Sequence, residues 1–298
     1  MRKILLLAVL AAPAWPAWVE KYRSGEALLD ERGSTIALER LRVAAKEAEA
    51  EGASDAQLAA VYDALGRAAM GGGQYQDGKR YFERALRLTV GGSLEARAVV
   101  TANLGQACQA LGQVVRAEQY FRQALTMGPD RAAVLNHLGG VLYLQHRYEE
   151  AEGALRKALG HGEGIESVTA RSNLAVIYEA RGKLDEAAGL YEQAVSGAPA
   201  GQGRARMLAN LGALRLKLGN PAGAEVALSR SLEEMEIAVG PAHPDVAHVL
   251  ELYAHALRKA GDNAYAIAVA QRATTIRSSF AAQDKASRAI VDFLDLKH

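Results

Sequence analysis

A set of fixed spacings that recurs six times limits what this chain can fold into. A small residue follows a large one at Leu65-Gly66, Leu104-Gly105, Leu138-Gly139, Leu174-Ala175, Leu211-Gly212 and Tyr253-Ala254. Twelve residues after it stands another small one: Gly78, Ala117, Ala151, Ala187, Ala224 and Ala266. Nineteen after it comes a third, at Ala85, Ala124, Ala158, Ala194, Ser231 and Ala273. Sixteen after it sits a bulky side chain, Phe82, Phe121, Leu155, Tyr191 or Leu228, with Ala270 in the last copy. Periods in this range mean stacked supersecondary units, because one unit alone cannot bury its apolar face.

Each unit reads as two antiparallel helices. The small residue of the first helix lets the second approach closely, and the later alanines mark further close crossings. Seven residues past the first small residue stand Gly73, Gly112, Gly182, Gly219 and Gly261, with His146 in the third copy. A glycine there ends the first helix in the left-handed conformation and turns the chain back. The bulky residue is expected to fill the groove against the next unit.

These residues resemble the tetratricopeptide repeat family. "ANLGQACQALGQVVRAEQYFRQALTMGP" and "SNLAVIYEARGKLDEAAGLYEQAVSGAP" carry most of its pattern, including the closing Pro129 and Pro199. "LEEMEIAVGPAHPDVAHVLELYA" is similar to the longer repeats of kinesin light chains, and the intervals drift through 39, 34, 36, 37 and 42 residues. The resemblance implies an all-α fold, a right-handed α-solenoid of antiparallel helix pairs. Six repeats are expected over residues 55–280. Residues 15–54 form either a degenerate first unit, with Gly25 as its small residue and Ala37, Leu41, Ala44 and Ala48 on one face, or a plain cap. Residues 281–298 form a helical cap or an extended tail, and any strand is confined to that end.

The N-terminus reads as an export signal at residues 1–14. Arg2 and Lys3 precede an apolar run from Ile4 to Ala12, and Ala12-Pro13-Ala14 supplies the small residues of a cleavage site. Nine apolar residues are too few to span about 30 Å of hydrocarbon, so the mature chain is expected to have no transmembrane span. An uncleaved anchor extended through Trp15 and Trp18 is the alternative. Cys108 is the sole cysteine, so no intrachain disulfide and no lipid-bearing cysteine at the cleavage site are expected. No Asn-x-Ser/Thr acceptor occurs, which favours a bacterial envelope, periplasmic or secreted, over a eukaryotic secretory route. The 35 Lys+Arg nearly balance the 34 Asp+Glu, and no basic excess points to nucleic acid.

In the family resembled, first helices line the concave face that receives a ligand. The positions two residues before the small residue are then Asn103, Asn173 and Asn210, with His137 in the third unit. An asparagine offers donor and acceptor together and matches a peptide amide, so the column is expected to hold an extended peptide. Packing between units is the competing reading. Around it fall Asp63, Arg67, Gln106, Gln109, Tyr143, Glu179 and Arg206. His248, Glu251, His255 and Arg258 share one helix face further on, a polar patch suited to an acidic group or, less well, to a metal.

Enzyme readings fail on their residues. Gly73 to Lys79 imitates a phosphate loop, but Arg80 follows where Ser or Thr is needed and no strand precedes it. His248, Glu251 and His255 lack the HExxH order of a zinc site. Cys108 lies at an apolar helical position, as a buried thiol does. Neither a cofactor nor catalysis is expected. The sequence points to an exported scaffold binding a protein or peptide segment, with a self-associating structural module of the cell envelope as the alternative and a metal-dependent enzyme as a third, weaker reading.

Overall fold

A computed structural model gives the structure of residues 16–29, 34–128, 131–162 and 164–295. The expected signal at 1–14 and the closing Pro129 lie outside these residues. Fourteen α-helices and no strand occur among the described residues. The chain divides into two compact units, Met1–Ala158 and Leu159–His298.

The first unit holds four helix pairs: α1 (Ala17–Ala27) with α2 (Ser34–Ala50), α3 (Asp55–Gly71) with α4 (Tyr75–Leu88), α5 (Leu94–Ala110) with α6 (Val114–Thr126), and α7 (Ala132–Leu144) with α8 (Tyr148–Leu159). The second holds three: α9 (Ile165–Ala180) with α10 (Leu184–Gly197), α11 (Gln202–Lys217) with α12 (Pro221–Val239), and α13 (Pro244–Ala260) with α14 (Asn263–Asp295). Residues 281–295 therefore continue the second helix of the last pair, and the alternative of an extended strand there does not hold.

Turn chemistry sets the helix ends. Gly73, Gly112, Gly182, Gly219 and Gly261 have φ of +74°, +69°, +76°, +72° and +98°. His146 adopts +58° in their place, as the only non-glycine residue with positive φ among the described residues. The residue after each one donates its N–H five positions back, as from Gln113 to the Cys108 carbonyl at 2.8 Å and from Arg147 to that of Leu142 at 3.0 Å. That bond satisfies a carbonyl the helix end would otherwise strand. Several first helices are capped in turn. Ser54 and Gln57 form a reciprocal capping box on α3, and Ser93 Oγ accepts from Ala96 N on α5 at 3.1 Å.

The sixteen-residue offset is a wedge with two contacts. A Cβ placed on Gly105, Gly139 or Gly212 would stand 2.5–2.7 Å from the side chain of Phe121, Leu155 or Leu228, so only a hydrogen fits there. Gly66 meets Phe82 in the same way. The bulky residue thus first covers the glycine of its own pair. It also reaches the next pair, since Phe82 clusters with Leu104 and Ala107 of α5, and Tyr191 with Leu211 and Leu214 of α11. Phe82, Phe121, Leu155, Tyr191 and Leu228 are at most 1% exposed, and burying each contributes roughly 1.5–3 kcal/mol.

The N-terminal pair follows the same geometry. Gly25 stands 2.7 Å, by the same measure, from Leu41, sixteen residues on. Ala37 and Ala44, at offsets of twelve and nineteen, are fully buried with Ala48, Trp18, Val19 and Tyr22 in one core that includes Val61, Tyr62 and Leu65 of α3.

Candidate functional site

The side chains singled out on the first helices fall into separate groups in the two units. In the first unit, a polar chain crosses three first helices. Arg67, one residue past Gly66, donates Nε to Asp63 Oδ2 at 3.1 Å and Nη2 to Glu26 of α1. Asp63 accepts in turn from Asn103 Nδ2 of α5 at 2.7 Å. The Asp63 side chain is only 14% exposed. Burial raises its pKa against the opposing pull of the Arg67 charge and of the hydrogen bonds from Asn103 and Arg67. Tyr22 of α1 packs beneath, its hydroxyl held neutral first by burial and then by the Glu26 charge.

Asn103 is therefore half-engaged: its Nδ2 is held, while its carbonyl oxygen has no partner among the described residues. Gln106 is half-buried on the next turn, and Gln109 Nε2 lies over Gly140 of α7. His137 departs from the asparagine pattern. Its ring stacks on Phe121 with centroids 5.4 Å apart and planes 12° apart, and burial lowers its pKa so that it is neutral near pH 7. Its ring rests on Phe121 of α6, where an asparagine would offer only an amide. Tyr143 leans on Tyr148 across the turn at 5.9 Å.

In the second unit, Asn173 is half-buried and Asn210 exposed, and neither makes a hydrogen bond among the described residues. Arg206 Nη2 meets Asp245 Oδ2 of α13 at 2.7 Å, joined there by Gln202 Nε2 at 3.0 Å. The Arg206 hydrogen bond, with that of Gln202, holds the Asp245 carboxyl below the usual carboxylate range despite partial burial. Glu179 takes Lys217 Nζ of α11 at 2.6 Å. His248, Glu251, His255 and Arg258 lie exposed along α13, but both Glu251 oxygens are taken by Arg277 of α14. That pairing depresses the Glu251 pKa and removes the carboxylate a bound metal would need.

Tyr22, Glu26, Lys217, Asp245 and Arg277 were not expected among these groups. The signal for Glu26 was present. It follows Gly25 as Arg67 follows Gly66, so opposite charges occupy equivalent positions in successive repeats.

Comparison with known proteins agrees with this geometry. The pattern of the tetratricopeptide repeat matches residues 57–130, 130–200 and 203–279. Among solved structures, a tetratricopeptide repeat protein from Parabacteroides merdae superposes with a TM-score of 0.61 at 19% identity, covering 87% of this chain and 93% of that one. Pseudomonas aeruginosa pilF gives 0.58 at 21% identity, over 77% and 99%. A Podospora anserina putative kinesin light chain with nearly identical TPR-like repeats gives 0.52 at 20%, over 61% and 95%. Identity this low shows a shared fold alone. The protein O-mannosyl-transferase Tmtc1 of Drosophila melanogaster is 54% identical over 44 residues, 15% of this chain but 5% of that protein. Since the repeat pattern matches three successive stretches from residue 57 to residue 279, and the same glycine wedges and left-handed turns recur along them, the chain belongs to the tetratricopeptide repeat family.

Proposed function

We propose that this protein is an exported interaction scaffold whose first helices hold an extended peptide or protein segment by its backbone. The observation that carries the reading is the state of the asparagines. Asn173 and Asn210 have no internal hydrogen-bond partner among the described residues, and Asn103 is oriented by Asp63 with its carbonyl oxygen unpaired. Side-chain amides left open on a rigid helix match a main-chain N–H and C=O at little ordering cost. Arg67, Gln106 and Tyr143 in one unit, and Arg206, His248, Glu251 and His255 in the other, would supply selectivity. No step in this reading is catalytic.

Site-specific photo-crosslinking tests it. A photoreactive residue at Gln106 or Asn210 should join a partner in the native host, and the same residue at Glu186 on a second helix should not. Crosslinks at Glu186 alone would overturn the reading. Export rests on Arg2, Lys3, the apolar run and Ala12-Pro13-Ala14. Cleavage after Ala14 would leave Trp18, Val19 and Tyr22 in place for the first core. N-terminal sequencing of protein from its host should begin near Trp15, and a cytosolic, unprocessed chain would refute export.

A further inference from the structure

A surface of the first unit built from α2, α3 and α4 carries a different chemistry. A cavity of about 650 Å³ opens there, lined by Arg42 of α2, Tyr62 of α3, and Asp77, Arg80, Tyr81, Glu83, Arg84 and Arg87 of α4. The two rings stack with centroids 6.3 Å apart. Arg84 lies 4.2 Å over the Tyr62 ring, and Arg42 Nε reaches Tyr81 Oη at 3.4 Å. Tyr62 donates its hydroxyl to Glu49 at 2.5 Å, and burial with that bond pushes its pKa up to about 12, so the phenol stays a neutral platform.

This arrangement positions guanidinium groups without using them up. An arginine stacked on an aromatic face still presents its edge, with its fork of N–H donors, to the open side. Arg84 gives Nη2 to Glu49, Arg80 gives Nη2 to Asp77, and Arg42 gives Nη1 to Glu39 at 3.0 Å. Glu83 is drawn off by Lys79 at 3.7 Å. Arg87 is exposed and has no ion pair among the described residues. Of the four arginines only Arg87 is thus left without an ion pair among the described residues, and the other three keep N–H donors that their ion pairs do not use.

We infer that this cleft is a second docking site, one that takes an acidic segment of a partner protein through its Asp and Glu side chains. A single carboxylate, such as a chain terminus, would satisfy Arg87 alone, whereas a run of carboxylates would also reach the donors that Arg42, Arg80 and Arg84 keep free of their ion pairs. The two tyrosine faces would cover the apolar stems between them. None of its lining residues belongs to the Glu26, Arg67, Asp63 and Asn103 chain.

Fluorescence anisotropy with an amidated glutamate-rich peptide tests the inference on the full chain. Binding should appear at low salt and weaken as salt screens the charges. Arg80→Glu with Arg87→Glu should reduce affinity at least tenfold, while Arg156→Glu, an exposed arginine on α8, should leave it unchanged. Circular dichroism would show that the variants remain folded. One further peptide separates the source of the carboxylate: a glutamine-substituted peptide with a free C-terminus should fail to bind. Equal losses at Arg156 and in the cleft would reduce the effect to nonspecific charge and overturn the site. So would binding of the glutamine peptide as tight as that of the glutamate peptide, or no binding by the unmodified chain.

Discussion

Asn103 Nδ2 lies 2.7 Å from Asp63 Oδ1, forty residues earlier in the chain, and ties α5 to α3. The bond gives this asparagine two duties, whereas Asn173 and Asn210 have no such tie among the described residues. Truncating each to alanine should therefore separate them. Asn173→Ala and Asn210→Ala should each weaken partner binding by about 0.5–1.5 kcal/mol, the net worth of an ordinary hydrogen bond, with melting temperature nearly unchanged. Asn103→Ala should lower melting as well, because it removes a donor from a buried carboxylate. Affinity and thermal melting on the same three variants check this. Lower melting with intact binding in all three would leave only packing.

His146, the single left-handed non-glycine residue among the described residues, gives a second prediction. An L-residue pays about 1–2 kcal/mol for this conformation, and glycine returns part of that as chain entropy. His146→Gly should then stabilise the protein by up to about 1 kcal/mol, less the contact of its ring with Tyr148 at 5.9 Å. Gly182→Ala, at φ +76°, should destabilise by about 1 kcal/mol. Urea denaturation of the pair measures both signs.

Close packing behind the repeat gives a third. Ala194 is fully buried and Ala124 is 4% exposed. Leucine at either position should cost about 1–3 kcal/mol by overpacking. Glu186→Leu, on an exposed position of α10, should change stability by less than about 0.5 kcal/mol. Comparable losses at both kinds of site would place the helix faces wrongly.

Glu118 supplies a pH dependence. Its side chain is 7% exposed and accepts from Gln145 at 2.6 Å and Arg147 at 2.7 Å, with Arg122 beside it. Burial alone would raise its pKa, but the bonds from Gln145 and Arg147 and the two positive charges outweigh it and hold the carboxyl below 4.5. A depressed folded-state pKa adds stability that is present above the unfolded value and lost as pH falls through the folded one. Glu118→Gln should thus destabilise at pH 7 by about 1.5–3 kcal/mol, and the gap to the unmodified protein should narrow below pH 4.5. Denaturation at pH 7 and pH 3 tests the sign.

Most of the fold was legible because its rules are short-range. The offsets of seven, twelve, sixteen and nineteen each encode one steric demand within a helix pair, and the last three hold even at Gly25, Ala37, Leu41 and Ala44, where the repeat is weakest in sequence. The site was less legible. Glu26, Arg67, Asp63 and Asn103 meet through long side chains from three helices, and their pairing depends on how the pairs stack rather than on position within one. His137 shows the limit from the other side. It occupies the asparagine position, yet a flat ring beside Phe121 gains more by stacking than by facing water.

The left-handed turns also bear on how quickly the chain finds its structure. Each is sealed by hydrogen bonds between residues no more than five apart, so a helix pair closes over a loop of a kind that forms within about 10–100 ns, well before it meets a neighbour. Contacts this local make for rapid folding. The turn at His146 has to populate a backbone state that glycine visits freely, and a penalty of about 1 kcal/mol makes that state roughly fivefold rarer in the unfolded chain. The α7–α8 turn is then slower to close than the glycine turns of α3–α4 and α5–α6, and one imidazole-bearing residue at a bend delays that pair.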